Sequence, residues 1–128
     1  MKKTVVIGAS ENPERYSFKA ITKLVNHGYT VKALGLRKGV VAGVSIDTEK
    51  ILYPAIHTVS IYLGKNNQSE YYDYIEQLKP QRVIFNPGTE NPEFKSRLEE
   101  KGIQVEGLVH WFCCLQVVFS AYLGTFNL

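Results

Sequence analysis

The stretch Thr4-Val5-Val6-Ile7-Gly8 decides the fold class. Its first four residues are β-branched and mostly apolar, which is typical of a short strand that is buried on both faces. Gly8 allows the backbone to turn tightly directly after the strand. The chain therefore begins with a predicted interior strand of a parallel sheet.

A helix is predicted after this strand. Apolar side chains recur at helical spacing within residues 14–26, at positions 18, 21, 24 and 25. Asn12 is the expected N-cap, with Pro13 in the first turn, and Gly28 is placed to end the helix.

The same alternation continues along the chain. Further strands are predicted at residues 29–34, 59–63, 82–85 and 103–106, with helices at 69–78 and 92–101. Short apolar strands alternating with helices predict an α/β fold with a doubly wound, mainly parallel, five-stranded Rossmann-like sheet and helices on both faces. Residues 1–106 form this one domain, and residues 107–128 form an atypical tail.

Composition restricts the function classes. The 128 residues are 45% hydrophobic and 21% charged, a balance typical of a soluble globular protein. The net charge of +3 is too small to indicate nucleic-acid binding, so no nucleic-acid partner is expected. The apolar run that follows Lys2 and Lys3 ends at Ile7 and is too short for a secretory signal, so we expect a cytoplasmic protein without a membrane partner.

In a doubly wound sheet, ligands bind beyond the carboxyl ends of the strands, where the strand order reverses. The first such loop follows Gly8 and leads into the N-terminus of a helix, which favours anions. Ser10 and Ser17 can donate hydrogen bonds, and Arg15 can pair with a phosphate. A tight turn with a solvated Arg15 explains the same residues, and the loop alone favours neither interpretation.

The familiar nucleotide motifs are absent. Ser10 and Pro13 stand where a dinucleotide fingerprint requires glycine, and no P-loop follows. The second strand is followed by Arg37 and Lys38 rather than by the acidic residue that holds a free ribose. These cations favour a ligand with a phosphorylated ribose, such as NADP or coenzyme A. An exposed basic turn is an equally weighted alternative.

The loop after the fourth strand is Asn86-Pro87-Gly88-Thr89-Glu90. Proline and glycine make it rigid and permit close backbone approach, so its polar groups can orient a ligand. It can equally be a turn in which Thr89 or Asn91 caps the next helix. The three histidines are scattered without metal-ligand spacing, so neither catalytic residues nor a metal site is predicted.

Two of these loops carry a resemblance. Val5-Val-Ile-Gly-Ala-Ser10, then Asn12-Pro13-x-Arg15-x-Ser17, and Ile84-Phe-Asn-Pro-Gly-Thr-Glu90 resemble the small stand-alone CoA-binding proteins. Their Rossmann-like domain also forms the N-terminal part of the succinyl-CoA synthetase alpha subunit. The resemblance covers about residues 1–106, most of a domain by length. Gly35-Leu36 departs from it, since the family commonly has Asn-Pro there.

The resemblance implies which residues meet CoA. The phosphates would lie against Gly8, Ala9, Ser10, Arg15 and Ser17. The phosphorylated ribose would lie near Arg37 and Lys38. The pantetheine arm would pass Tyr62, Leu63, Asn86, Pro87, Gly88, Thr89 and Glu90. The synthetase reaction is not implied, because its phosphohistidine belongs to a domain that has no counterpart here.

The sequence thus favours a module that binds coenzyme A or an acyl-CoA as a carrier, sensor or regulator, without known catalysis. The alternatives are a fragment of an NADP-dependent oxidoreductase and an interaction domain whose loops bind nothing. The acyl group, the physiological role and the formation of homo-oligomers stay open.

The tail has no charged residue, although it holds both cysteines and the single tryptophan. The resembled family continues here with a run like Ala-Cys-Thr-Leu-Val and a Ser-Thr-Gly turn. Joining the third base of each codon to the first two of the next converts residues 110–114 into Leu-Val-Leu-Leu, whichever synonymous codons are used. Permitted codons for the flanking residues complete the family's strand and turn. We therefore hypothesise a shifted reading frame near Glu106 or Gly107.

Overall fold

The computed structural model describes residues 3–107, so the hypothesis about the tail lies outside the described residues. The first strand, β1, is Lys3–Ile7. The other elements are α1 (Tyr16–Asn26), β2 (Thr30–Leu34), β3 (Gly39–Val41), β4 (Val44–Asp47), β5 (Thr58–Ile61), α2 (Tyr72–Leu78), β6 (Arg82–Phe85), α3 (Pro92–Glu100) and β7 (Gln104–Gly107). Two short 3-10 turns, Lys65–Asn67 and Ser69–Tyr71, precede α2.

The described strands form one sheet in the order β3-β4-β2-β1-β5-β6-β7. Every neighbouring pair is parallel except β3 and β4, which are antiparallel. The chain leaves β1 for β2 on one side and later returns to β5 on the other, so the strand order reverses at β1. The predicted Rossmann-like α/β class is confirmed. The predicted number of five strands is wrong, because the described residues form seven. The sheet is mainly parallel, as predicted, with one antiparallel pair.

The two additional strands form a hairpin, β3 and β4, that the periodicity did not indicate. Ala42 and Gly43 connect them with φ angles of 50° and 83°. Positive φ at both central positions is characteristic of a type I′ turn, whose twist suits a two-residue hairpin. Asn-Gly or Asp-Gly usually marks such a turn. The Ala-Gly pair and two strands of three and four residues made this hairpin hard to recognise.

The core lies on both faces of the sheet, because strand residues alternate in direction. One cluster packs Ile21 and Leu24 of α1 against Val6 and Ala33. The other packs α2 and α3 against the opposite face, with Phe94 at its centre. The prediction of helices on both faces is confirmed. No helix within residues 3–107 is long and apolar enough to cross a membrane.

Candidate functional site

A cleft of about 580 Å³ lies at the carboxyl ends of β1, β2 and β5. Eight of the predicted site residues line it: Gly8, Ala9, Ser10, Arg15, Arg37, Lys38, Tyr62 and Leu63. Glu11, Asn12 and Leu36 also line it and were not in the predicted set. The cleft therefore occupies the place where the strand order reverses, as expected for a ligand site of this fold.

Gly8 allows the close approach of two strand ends at the floor of the cleft. Its φ is 95°, which side-chain-bearing residues rarely adopt. A Cβ there would lie 3.1 Å from the Tyr62 carbonyl carbon and 3.3 Å from Leu63 Cδ2. The backbone N–H groups of Gly8 and Ala9 both donate to the Leu34 carbonyl oxygen, at 2.9 and 2.8 Å. The first loop is thus fixed against both β2 and β5.

Gly35 brings the second loop onto the first. A Cβ at this position would lie 2.5 Å from the Ala9 carbonyl oxygen, closer than any side chain can be accommodated without movement of the backbone. Its N–H donates to the Asp47 carbonyl oxygen of β4 at 3.0 Å. The departure from the family's Asn-Pro therefore has a local reason, since the segment carrying Arg37 and Lys38 begins in direct contact with the first loop.

The predicted N-cap of α1 is wrong. The helix begins at Tyr16, with Arg15 as its N-cap and no side chain capping the end. Asn12 instead forms a turn that precedes the helix: its Oδ1 accepts from the Glu14 N–H at 3.0 Å, and its carbonyl oxygen accepts from the Arg15 N–H at 3.0 Å. Because proline restricts the residue before it, Asn12-Pro13 favours such a turn. The first helical turn also has no acidic residue, so this end of α1 suits an anion.

The charged side chains around the cleft are mostly basic. Arg15, Arg37 and Lys38 contribute three cationic groups, and Glu11 contributes one carboxylate. Leu36 is 86% exposed at this surface and offers an apolar contact. Ser17 lies in the first turn of α1, is only 2% exposed and does not line the cleft. It adjoins the site through the helix end rather than through an open hydroxyl.

The loops after β5 and β6 are joined by buried amide side chains. Gln68, 1% exposed, donates from Nε2 to the carbonyl oxygens of Leu63 at 2.9 Å and Thr89 at 2.7 Å. Its Oε1 accepts from Asn91 Nδ2 at 3.0 Å, and the same Nδ2 donates to the Tyr72 hydroxyl at 2.8 Å. All hydrogen-bonding groups of the Gln68 amide are used. Gln68 thereby links a residue of the cleft to the loop of residues 86–90.

That loop does not line the cleft: Asn86, Pro87, Gly88, Thr89 and Glu90 are absent from its lining, although Gln68 holds the loop next to Leu63. Thr89 closes the turn by donating from its hydroxyl to the Asn86 carbonyl oxygen at 2.7 Å. Asn91 caps α3, as one of the alternatives expected, by accepting from the Phe94 N–H at 3.2 Å. The Glu90 carboxylate accepts from the Gly88 N–H at 3.1 Å.

Asn86 carries a buried acceptor without a partner among residues 3–107. Its Nδ2 donates to Ser60 Oγ at 2.8 Å and to the Ile61 carbonyl oxygen at 2.9 Å, whereas its Oδ1 has no hydrogen-bond partner there. A buried polar atom that is left unpaired costs free energy unless a ligand or water satisfies it. Asn86 lies at the carboxyl end of β6, on the same edge of the sheet as the cleft.

A tyrosine pair braces the long segment between β4 and β5. The Tyr53 hydroxyl donates to the Asp47 carboxylate, and the Tyr74 hydroxyl donates to the Ile51 carbonyl oxygen at 2.5 Å. Burial, followed by the hydrogen bond to Asp47, raises the pKa of Tyr53 well above its usual value. Burial, followed by the charge of Asp47, raises the pKa of Tyr74 in the same direction. The periodicity of the sequence indicated none of these contacts.

Fold and site together define a Rossmann-like domain with a basic cleft where the strand order reverses. Residues 2–109 match the family described as CoA binding domain, and the chain belongs to that family. A crystal structure of an uncharacterized protein is 41% identical, with a TM-score of 0.86 and coverage of 98% of both chains. A hypothetical protein from Pyrococcus horikoshii is 24% identical, with a TM-score of 0.80 over 96% of this chain and 84% of that one.

More distant neighbours share the fold alone. An oxidoreductase from Bacillus cereus is 18% identical, with a TM-score of 0.59, and its match covers 84% of this chain but 34% of that one. No curated protein matches the chain. Within residues 3–107, no group of three or more His, Cys, Asp or Glu side chains is placed to hold a metal ion.

Proposed function

We propose that the protein binds coenzyme A or an acyl-CoA in the basic cleft, as a carrier, sensor or regulatory module without known catalysis. One observation carries the proposal: a helix N-terminus without a side-chain cap and three cationic side chains meet in a single cleft where the strand order reverses. CoA has a pyrophosphate and a ribose phosphate, which match these two kinds of anion-binding group. The family of the chain supports this ligand class.

The nucleotide end is assigned to the basic part of the cleft. The backbone of Gly8, Ala9 and Ser10 and the first turn of α1, which includes Ser17, would face the pyrophosphate together with Arg15. Arg37 and Lys38 would face the ribose phosphate, since they follow β2 and line the same cleft as the first loop.

The pantetheine arm is assigned to Tyr62 and Leu63, in the direction of residues 86–90. The unpaired Oδ1 of Asn86 supports this direction, because each amide N–H of pantetheine is a hydrogen-bond donor for such an acceptor. The hydrogen bonds of Gln68 to Leu63 and Thr89 support it further, since they hold the two loops next to each other. Loop rearrangements of more than about 2 Å on binding occur in a substantial minority of complexes.

Calorimetry with four ligands tests the proposal. We expect heat on titration with CoA and with acetyl-CoA, weaker binding of dephospho-CoA, which lacks the ribose phosphate, and weaker binding of NADP, which lacks pantetheine. Absence of heat with both CoA species, from protein whose circular dichroism shows it to be folded, would contradict the proposal. Tighter binding of NADP than of CoA would favour the oxidoreductase alternative instead.

A further inference from the structure

Glu11 introduces a carboxylate into a cleft that is otherwise basic. It belongs to the loop after β1, and its Oε2 accepts a hydrogen bond from the backbone N–H of Val40 at 2.8 Å. Val40 lies in β3, the outermost strand on that side of the sheet. A side chain from the first loop therefore pairs with the edge of the hairpin, 29 residues further along the chain.

The backbone beside Val40 is shaped to receive this carboxylate. A Cβ on Gly39 would lie 2.3 Å from Glu11 Cδ and 2.7 Å from Glu11 Oε1. The carboxylate thus rests directly on the Gly39 backbone, in space that any other residue would occupy. Two neighbouring residues of β3 therefore accommodate the Glu11 carboxylate. Val40 donates its N–H to it, and Gly39 leaves space for it because it has no side chain.

We propose that Glu11 is a positioning residue that latches the first loop to β3 and thereby holds Arg37 and Lys38 across the cleft from Arg15. Arg37 and Lys38 immediately precede Gly39, so fixing the start of β3 fixes the end of the segment that carries them. The consequence for ligand binding rests on the proposed function. Preorganising the two walls of a site raises affinity, because less conformational entropy is lost when the ligand binds.

The direction in which Glu11→Ala changes CoA affinity shows whether Glu11 acts by positioning the cleft or only by its charge. CoA is a polyanion, and a carboxylate close to it lowers affinity by repulsion. If charge were the whole contribution of Glu11, Glu11→Ala would strengthen binding. If Glu11 positions the cleft, Glu11→Ala weakens it in spite of the favourable change in charge.

Calorimetry with CoA on three variants provides the first test. We expect Glu11→Ala to weaken binding about tenfold, and Glu11→Gln, which keeps an acceptor oxygen, to remain within about twofold of the wild type or to bind more tightly. Glu14→Ala is the matched control: it removes the same charge from the same loop, and we expect unchanged or tighter binding. Equal or tighter binding by Glu11→Ala would overturn the proposal.

Gly39→Ala tests the latch without changing Glu11. The new methyl group displaces the end of a flexible side chain, so the fold should tolerate it while the hydrogen bond to Val40 is broken. We expect it to weaken CoA binding as much as Glu11→Ala does, and the double variant to be no weaker than either single one. Fully additive losses would contradict a shared mechanism.

Amide hydrogen exchange, followed by NMR on the ligand-free protein, tests the latch independently of CoA. The Val40 N–H should exchange at least about tenfold faster in Glu11→Ala and Gly39→Ala than in the wild type, with most protection kept in Glu11→Gln. Unchanged exchange in Glu11→Ala would overturn the latch whatever CoA does. If wild-type protein fails to bind CoA while Val40 behaves as expected, the proposed function fails and the contact between the two loops stands.

Discussion

Two regions at the same edge of the sheet hold their loops together in opposite ways. The basic region, made of Arg15, Arg37, Lys38 and Glu11, has charged side chains at the surface and a hydrogen bond that the Val40 N–H donates to the Glu11 carboxylate. The amide region, made of Gln68 and Asn91 with their partners, uses buried neutral groups that are fully hydrogen-bonded to one another. Both regions connect loops that are distant in sequence.

This difference implies that one region determines ligand affinity and the other determines folding stability. Exposed charged groups are solvated before and after folding, so they contribute little to folding and remain available to a charged ligand. Buried amides lose their hydration on folding, so removing one leaves its partners unpaired in the interior. We therefore expect substitutions in the basic region to change affinity and substitutions in the amide region to change stability. The same buried groups define the shape of the path beyond Leu63.

Gln68→Ala should have the largest effect. The substitution leaves the carbonyl oxygens of Leu63 and Thr89 and one Asn91 N–H without their partner, so we expect the free energy of unfolding to fall by about 3 kcal/mol. Urea denaturation measures it. Gln77→Ala, on the exposed face of α2, is the control and should change stability by less than about 0.5 kcal/mol. A loss for Gln68→Ala no greater than that of the control would remove the distinction between the two regions.

Arg15→Ala should have the next largest effect, and on binding alone. Loss of a charge-assisted hydrogen bond to phosphate should weaken CoA affinity by about 1.5–3 kcal/mol, which is roughly ten- to a hundredfold. The midpoint of urea denaturation should stay unchanged. Lys95→Ala, which removes the same charge from an exposed position on α3, should leave affinity as it is. Unchanged affinity in Arg15→Ala would exclude Arg15 from the site.

A substitution at Tyr53 tests whether a buried polar contact also stabilises the part of the sheet near β2 and β4, which carries the basic region. Burial and the hydrogen bond to Asp47 raise the pKa of Tyr53 in the folded protein above the usual 10.0. The folded state then binds the phenolic proton more tightly than the unfolded state does, so this stability is complete below about pH 10 and is lost as the pH rises above it.

Tyr53→Phe should lower stability at pH 8 by about 1 kcal/mol, through loss of the hydrogen bond, and should make the decline in stability above about pH 10 shallower. Urea denaturation at a series of pH values provides the measurement. Tyr16→Phe, on a half-exposed ring, is the control and should keep the wild-type dependence on pH. A wild-type decline in Tyr53→Phe would show that Tyr53 has no part in it.

Most of the sheet was predictable because its inner strands are short and mainly apolar. The alternation of such strands with helices indicated β1, β2, β5, β6 and β7. The hairpin was missed because its strands are short and its turn lacks the usual residues. Glu11 and Gln68 were missed for another reason. Each lies in a polar stretch typical of a solvated loop, and each finds its partner far along the chain, at Val40 or at Thr89.

The sequence likewise predicted one part of the site lining and not the other. The residues that follow the carboxyl ends of β1, β2 and β5 do meet in one cleft, because parallel strands bring these ends to one edge. The loop of residues 86–90 follows β6, one strand further from the point of reversal, and lies outside that cleft. The shifted reading frame near Glu106 or Gly107 concerns the tail of residues 107–128, of which 108–128 lie outside the described residues, and it stays a prediction that the sequence of the gene decides.

The sequence by itself determined the fold class, the turn at Gly8 and the positive charge of the second loop. Hydrophobic periodicity, glycine flexibility and charge are properties of a few neighbouring residues. Only the tertiary structure decided that Glu11 pairs with Val40 and that Gln68 is buried between two loops. Those contacts depend on strand order and on the distance between loops. A polar side chain has the same hydrogen-bond donors and acceptors in water and in the interior. Its role depends on which unpaired backbone groups the fold brings next to it.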